Sequence, residues 1–216
     1  MLAVALVLAY LIGSIPTAYL VGRLKGIDVR KVGSGNMGAT NVYRTLGAWP
    51  AAIVLAIDAA KGVAAALLPR WLGVAEPTTW GFLCGLLAML GHSRPIFLGF
   101  TSGGKGVATA GGVFGALVPV ACAAGVAAFV IVLALTRYVS LGSLVAAITL
   151  AVAVGVTRGV QSAPFLAALA VAAFVIWSHR SNIARLRRGE ERRLGRPGTQ
   201  GGSGSQSAPG AREARP

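Results

Sequence analysis

Three polar stretches hold most of the side chains able to do chemistry. The first, Gly33-Ser34-Gly35-Asn36-Met37-Gly38-Ala39-Thr40-Asn41-Val42-Tyr43-Arg44, contains a literal G-x-G-x-x-G on Gly33, Gly35 and Gly38. That spacing marks a dinucleotide site only within a βαβ unit, and no such unit exists here. What survives is the physics. Glycines leave backbone N–H groups open, and a following helix N-terminus favours an anion. Asn41 and Arg44 stand three apart and so share a helix face. An arginine there grips a phosphate or carboxylate with two parallel hydrogen bonds. The plain alternative is a flexible loop with a surface arginine.

The second stretch runs from His92 to Gly112. Gly99, Gly104 and Lys105 nearly spell a P-loop, but Gly106 stands where a Ser or Thr must hold magnesium. That argues against a nucleotide hydrolase and leaves a phosphate cradle with a lysine point charge. Ser102-Gly103-Gly104-Lys105-Gly106 leads into a short helix whose N-terminus adds to the positive field. Gly111 and Gly112 fit close helix packing better. His92, beside Arg94-Pro95, reads equally as an interfacial structural histidine. In the third stretch, His179 to Glu190, His179 and Asn182 lie at i, i+3 and face one site together. Most of its arginines read as retention charges lying on lipid headgroups, and Glu190 as the partner of a neighbouring arginine. Asp58 and Lys61 stand apart, mid-membrane and three residues from each other. Intramembrane charges are costly and usually functional or paired, and mutual neutralisation is the simpler reading.

Composition says what must position these groups. Of 216 residues, 55% are hydrophobic and only 12% charged, with mean hydropathy +0.72, whereas a soluble domain carries about 25% charged residues. This excludes a water-soluble enzyme, a disordered regulator and a disulfide scaffold, and predicts an all-α polytopic membrane helical bundle. The net charge of +14 belongs to cytoplasmic loops and anionic lipid, not to nucleic-acid binding. Cys84 and Cys122 lie in apolar runs without metal or redox spacing and read as small buried hydrophobes. With two histidines in the whole chain, a His-rich metal cage is out of reach, so neither a metal nor a cofactor is expected.

Charge also orients the spans. Arg23, Lys25, Arg30 and Lys31 follow the first apolar run (2–21), where a secretory leader would have its basic residues in front. The N-terminus is therefore expected outside and 23–47 in the cytoplasm. Further spans are expected at 49–68, 79–90, 139–156 and 163–177. The run 107–135 is interrupted by Pro119, which removes a helix hydrogen bond. Counted as one helix it gives six crossings and strands the arginine-rich end outside. Divided at Pro119 it gives seven and returns that end to the cytoplasm. The expectation is seven transmembrane helices, N-terminus outside and C-terminus cytoplasmic, with a short fourth helix. Residues 136–140 then face the cytoplasm and Arg158 faces out. Residues 1–194 form the membrane domain, and 195–216, rich in Gly, Ser and Pro, a disordered cytoplasmic tail.

Together, three groups of residues resemble the three signature motifs of the bacterial acyl-phosphate:glycerol-3-phosphate acyltransferases. They are Gly33-Ser34-Gly35-Asn36 with Asn41 and Arg44; Gly91-His92 with Pro95 and Gly103-Gly104-Lys105-Gly106-Val107-Ala108-Thr109; and His179-Arg180 with Asn182-Ile183, Arg185-Leu186, Gly189 and Glu190. Asp58, Lys61 and Gly62 fit that family's second helix. The resemblance covers roughly residues 1–195, with the motifs in order and correctly spaced. One departure is visible: Thr101-Ser102 stands where the family pattern has a single basic residue, so the loop is longer and lacks a charge.

The resemblance implies transfer of a fatty acyl group from acyl phosphate to the 1-hydroxyl of sn-glycerol 3-phosphate. Lysophosphatidate and phosphate are the products, and neither acyl-CoA nor acyl carrier protein is the direct donor. It implies a bacterial inner-membrane enzyme with its site facing the cytoplasm, membrane lipid around it, and the acyl-phosphate-forming enzyme as a candidate partner. It casts Ser34, Arg44, Lys105, His179 and Asn182 as the catalytic set holding glycerol 3-phosphate. Asn36, Thr40 and Asn41, with Gly103, Gly104 and Gly106, then hold acyl phosphate or the developing charge, and Ser143 closes the pocket. Neither histidine has an aspartate near it in sequence to form an H-x-x-x-x-D dyad. His179 could act as base, or the acyl phosphate's own oxygen could accept the proton; the resemblance favours the second. The competing class is an organic-phosphate transporter or channel. Transporters place ligands near the midplane between inverted repeats, whereas these candidates cluster at one face and no repeat is apparent. A lipid-surface anchor would leave the glycine-rich stretches unexplained.

Overall fold

The computed structural model describes residues 1–195. The tail expected over 195–216 lies, from residue 196 onward, outside the described residues. Pro16 lacks an N–H and splits the first apolar run into α1 (Leu2–Ser14) and α2 (Thr17–Leu24). A short α3 (Ala39–Leu46) precedes α4 (Ala48–Trp71) and α5 (Pro77–Ser93). The break expected at Pro119 is present. α6 (Val107–Leu117) ends where Val118 leaves helical geometry at φ −143°, and Pro119 opens α7 (Pro119–Thr136). Then come α8 (Val139–Arg158), α9 (Ala163–Ser178) and α10 (Arg180–Arg187).

Five helical lengths are long and apolar enough to cross a membrane, and a sixth if α9 and α10, bent by 59°, count together. α6 has 11 residues, about 16 Å of helix against a hydrocarbon core of ~30 Å. Among the described residues the molecule is thus an all-helical membrane bundle with five to six full-length apolar spans, and the expected seventh depends on α6, which is short of a full-length span. Residues 25–47, 93–106, 136–140 and 179–194 gather at one end, joined by Asn36 Nδ2 donating to Gly103 O, Arg44 to Arg192 O and Leu194 N to Arg137 O.

Lipid tails are as apolar as leucine, so close packing of small residues, not exclusion of water, brings these helices together. A Cβ on Gly62 of α4 would overlap the Thr109 carbonyl, and one on Gly112 of α6 the Ala59 carbonyl. The two backbones touch, which fixes α6 and the loop before it. Phe82 and Met89 of α5, Val113 and Phe114 of α6, Val154 of α8 and Val175 of α9 fill the largest buried cluster. At the other end of the sequence, Val29, Met37 and Val42 bury against Ala18, Ala51 and Val54, seating the first polar stretch on the bundle. Cys84 and Cys122 are free thiols, buried and half-buried, in keeping with their reading as small hydrophobes.

Candidate active site

The first polar stretch is shaped by Asn41. This side chain is 2% exposed. Its Nδ2 donates to Val29 O (3.1 Å) and Val32 O (3.2 Å), and its Oδ1 accepts from Ser34 N (2.8 Å). Gly33, at φ +64°, has no room for a Cβ against Asn41 Oδ1. Both polar atoms of the Asn41 side chain therefore hold the loop, which turns Ser34 outward and lets Asn36 reach the second stretch. Arg44, half-buried on α3, donates to Arg192 O at 3.1 Å. Burial lowers its pKa from the usual arginine value, with Glu191 opposing.

The second stretch is clamped to the end of α5. Gly103 N donates to Ser93 O (2.9 Å) and Gly104 N to His92 O (3.1 Å). The expectation that these two N–H groups cradle an anion therefore differs from the structure: they cap the last carbonyls of α5, which have no intrahelical donors. What the loop presents instead is Lys105, whose Nζ donates to Asn182 Oδ1. Gly106 at φ +76° starts α6. Burial lowers the Lys105 pKa to about 8, Glu191 opposing and Arg185 and Arg44 adding to the fall. A polar cavity of about 70 Å³ opens here, walled by Asn36, Gly103, Gly104, Lys105, Ser178 and Arg180 among others. Ser102 is also on its wall.

In the third stretch His179 is 3% exposed and Asn182 7%. His179 Nδ1 lies 2.8 Å from Val175 O. A carbonyl only accepts, so Nδ1 carries the proton and Nε2 keeps its lone pair. Burial, and next the positive charge of Lys105, lower the His179 pKa to about 4, so the ring is neutral at pH 7. Asn182 Nδ2 donates to Glu191 Oε1 (2.6 Å), as does Ser140 Oγ (2.8 Å), while Arg185 Nε pairs with Glu191 Oε2 at 2.8 Å. Burial works against ionisation of Glu191, but the hydrogen bonds from Asn182, Ser140 and Arg185 outweigh it and hold the carboxyl below its usual 4.5.

Lys105, Asn182 and His179 thus converge, with Arg44 and Arg185 in the same electrostatic neighbourhood, and Asn36 bridges the first two stretches. Thr40 sits half-buried on α3. Ser143 is buried on α8 with its hydroxyl donating to Val139 O at 2.9 Å; Ser140, one turn earlier, is the α8 residue that reaches the cluster. Glu190 pairs with Arg188 at 2.8 Å on the exposed side, as expected of a neutralising carboxylate. Glu191 and Arg185 are what sequence reasoning passed over as site residues. Two adjacent glutamates among arginines look alike in sequence. Only the turn at Gly189 (φ +72°) sends one outward and the other under the bundle.

A family model described as Glycerol-3-phosphate acyltransferase matches residues 3–189. The chain belongs to the glycerol-3-phosphate acyltransferase family. It is 48% identical over 194 residues to glycerol-3-phosphate acyltransferase 1 of Deinococcus radiodurans, covering 88% of this chain and 94% of that one. It is 48% identical to the glycerol-3-phosphate acyltransferase of Geobacter sulfurreducens, covering 86% of this chain and 94% of the relative. The fold is similar to PlsY (YgiH), an integral membrane glycerol 3-phosphate acyltransferase. For its glycerol 3-phosphate form the TM-score is 0.83 at 37% identity, covering 90% of this chain and 96% of that one. For its lysophosphatidic acid form the TM-score is 0.81 at 36% identity, with 90% and 95% covered. The family resemblance carried by the three motifs is thereby borne out.

Proposed function

We propose that this acyltransferase moves a fatty acyl group from acyl phosphate to the 1-hydroxyl of sn-glycerol 3-phosphate, the first acylation of phospholipid synthesis. The observation that carries this reading is the half-buried cationic cluster of Lys105, Arg44 and Arg185 beside a polar cavity. Both reactants are phosphorylated, and a partly desolvated lysine and arginines are the groups that hold phosphates. Lys105 and Arg44 bind the phosphate of glycerol 3-phosphate. Ser34 joins them on the glycerol 3-phosphate side, and Asn36 and Thr40 border the donor side. Asn41 and the backbones of Gly103, Gly104 and Gly106 hold the two loops in shape, Asn182 orients Lys105, and Ser143 packs behind Ser140.

The hydroxyl oxygen attacks the acyl carbonyl carbon, the bond from that carbon to the phosphate oxygen breaks, and phosphate leaves. The hydroxyl proton passes to a phosphate oxygen of the donor. His179 orients the attacking glycerol through its Nε2 lone pair. A ring whose conjugate acid has a pKa of about 4 is a poor general base at neutral pH, and an acyl phosphate already carries a good leaving group. The test is an assay of purified protein in detergent with acyl phosphate and radiolabelled glycerol 3-phosphate. Labelled lysophosphatidate is the expected product. Uptake into sealed vesicles without new lipid would mean a transporter instead. In the same assay His179→Ala is expected to raise KM for glycerol 3-phosphate more than it lowers kcat; the reverse pattern would make His179 the base.

The same reading places the protein in a bacterial inner membrane with seven passes, α6 included as a short one, and the polar end in the cytoplasm. Lys and Arg are concentrated there, as the positive-inside rule requires. An Arg158→Cys variant is then expected to react with an impermeant thiol reagent in intact cells. Labelling only after lysis would overturn the orientation.

A further inference from the structure

We propose that Asp58 and His92 are positioning residues for Lys105: the buried charge on α4 orients the imidazole at the end of α5, and that imidazole sets the height of the loop carrying the lysine. This rests on the phosphate-binding role given to Lys105 above. Asp58 and Lys61 are 2% and 4% exposed and pair at 2.7 Å. Lys61 Nζ also donates to Ile15 O (2.8 Å) and Gly13 O (3.4 Å). Those carbonyls lie at the Pro16 break, where α1 ends and Ile15 O also accepts from Thr17 N. Lys61 therefore locks α4 to the broken first span, and its role is filled on that side.

Asp58 has a second neighbour. Its Oδ1 lies 3.7 Å from His92 Nδ1, on a different helix. On the far side of the ring is Gly104, where a Cβ would overlap His92 Nε2. The backbones are joined as well: His92 O takes the N–H of Gly104 and Ser93 O that of Gly103. Lys105 is the next residue. Charge pair, imidazole, glycine and lysine form an unbroken row of contacts from mid-membrane to the cavity. Mutual neutralisation explains Asp58 and Lys61 by themselves. It leaves unexplained both an imidazole turned toward the carboxylate and a glycine with no space on that imidazole.

The experiment combines His92→Ala, Gly104→Ala and the double variant, each purified in detergent. Glycerol 3-phosphate affinity is read by calorimetry, KM and kcat by the acyl phosphate assay, and loop order by hydrogen exchange at residues 99–106. His92→Ala is expected to weaken glycerol 3-phosphate binding and raise its KM by about tenfold with kcat within about threefold. Exchange at the Gly103 and Gly104 amides should speed up while α7 and α8 are unchanged. Gly104→Ala in the wild-type background is expected to lower kcat/KM by about a hundredfold, but by less than about threefold once His92 is Ala, because the side chain it strikes is gone. Asp58→Asn should add nothing to His92→Ala if it acts through the ring. Multiplying rather than overlapping effects of Gly104→Ala and His92→Ala, or unchanged exchange at Gly103 and Gly104, would overturn the proposal. Should Asp58→Asn not fold, the His92–Gly104 pair decides alone. A wild type that binds glycerol 3-phosphate without consuming acyl phosphate would sink the donor assignment and leave this coupling standing on calorimetry and exchange.

Discussion

Lys105→Met is expected to lower kcat/KM by roughly 10²–10³-fold, since losing a half-buried cation from a phosphate contact removes about 3–4 kcal/mol of substrate and transition-state binding. Methionine keeps the length and apolar stem of the side chain, so the α5–α6 loop, held by Ser93 O and His92 O, stays in place. Size-exclusion and thermal melting should therefore match the wild type. Lys105→Arg is expected to restore less than a tenth of the loss. The planar guanidinium is larger than the ammonium and must fit where Nζ already touches Asn182 Oδ1. The same lysine sets a pH dependence. Only its cation binds phosphate, and in the free enzyme its pKa is lowered to about 8 by burial. kcat/KM, which reports the free enzyme, should fall as pH rises through about 8. kcat should hold to higher pH, because bound phosphate favours the cation. A lysine-independent profile, or a Met variant with more than a tenth of wild-type activity, would remove Lys105 from the site.

Glu191→Ala carries the second large effect, and it acts on stability first. The carboxylate is 9% exposed and accepts from Ser140, Asn182 and Arg185. Deleting it leaves Arg185, Lys105 and Arg44 facing one another with nothing between them. Stripping one partner from a buried pair costs about 3–5 kcal/mol. Here Arg185 is 37% exposed and can turn to water, so about 2–3 kcal/mol is the expected loss. Activity should fall too, because Asn182 loses the acceptor that aims its Oδ1 at Lys105. Glu191→Gln keeps the shape and one acceptor, and should lose less than Ala. The sign with pH follows from the direction of the shift. A carboxyl held below 4.5 in the fold stabilises at neutral pH, and that stability is lost as pH falls through its native value. Thermal melting of wild type against Glu191→Gln between neutral and acid pH checks this: the difference should shrink on acidification. A constant difference would show that the charge of Glu191 contributes nothing.

Much of this protein is readable along the chain because its signals are local. Apolar runs long enough for a bilayer, the proline that stops α6, and glycines beside a lone lysine or arginine depend on residues within a turn or two of each other. Periodicity and elementary hydrogen bonding are enough to find them. The three motifs also reveal the family, since their order and spacing survive without any knowledge of packing. Length says least at α6, where an apolar run suffices for a helix but its 11 residues fall short of a full-length span.

Convergence is another matter. Residues of one polar stretch are neighbours by covalent bond; the three stretches meet because Gly62 and Gly112 let two helix backbones touch and because Lys61 ties α4 to the Pro16 break in the first span. The division of labour inside the site is equally non-local. Asn41 looks like a ligand and is a clamp, Gly103 and Gly104 look like an anion cradle and are caps on α5, and Glu191 looks like its neighbour Glu190 and is the counter-charge under the cavity. Each of these roles is set by which donor or acceptor a distant segment leaves unsatisfied, and a one-dimensional pattern carries no record of that.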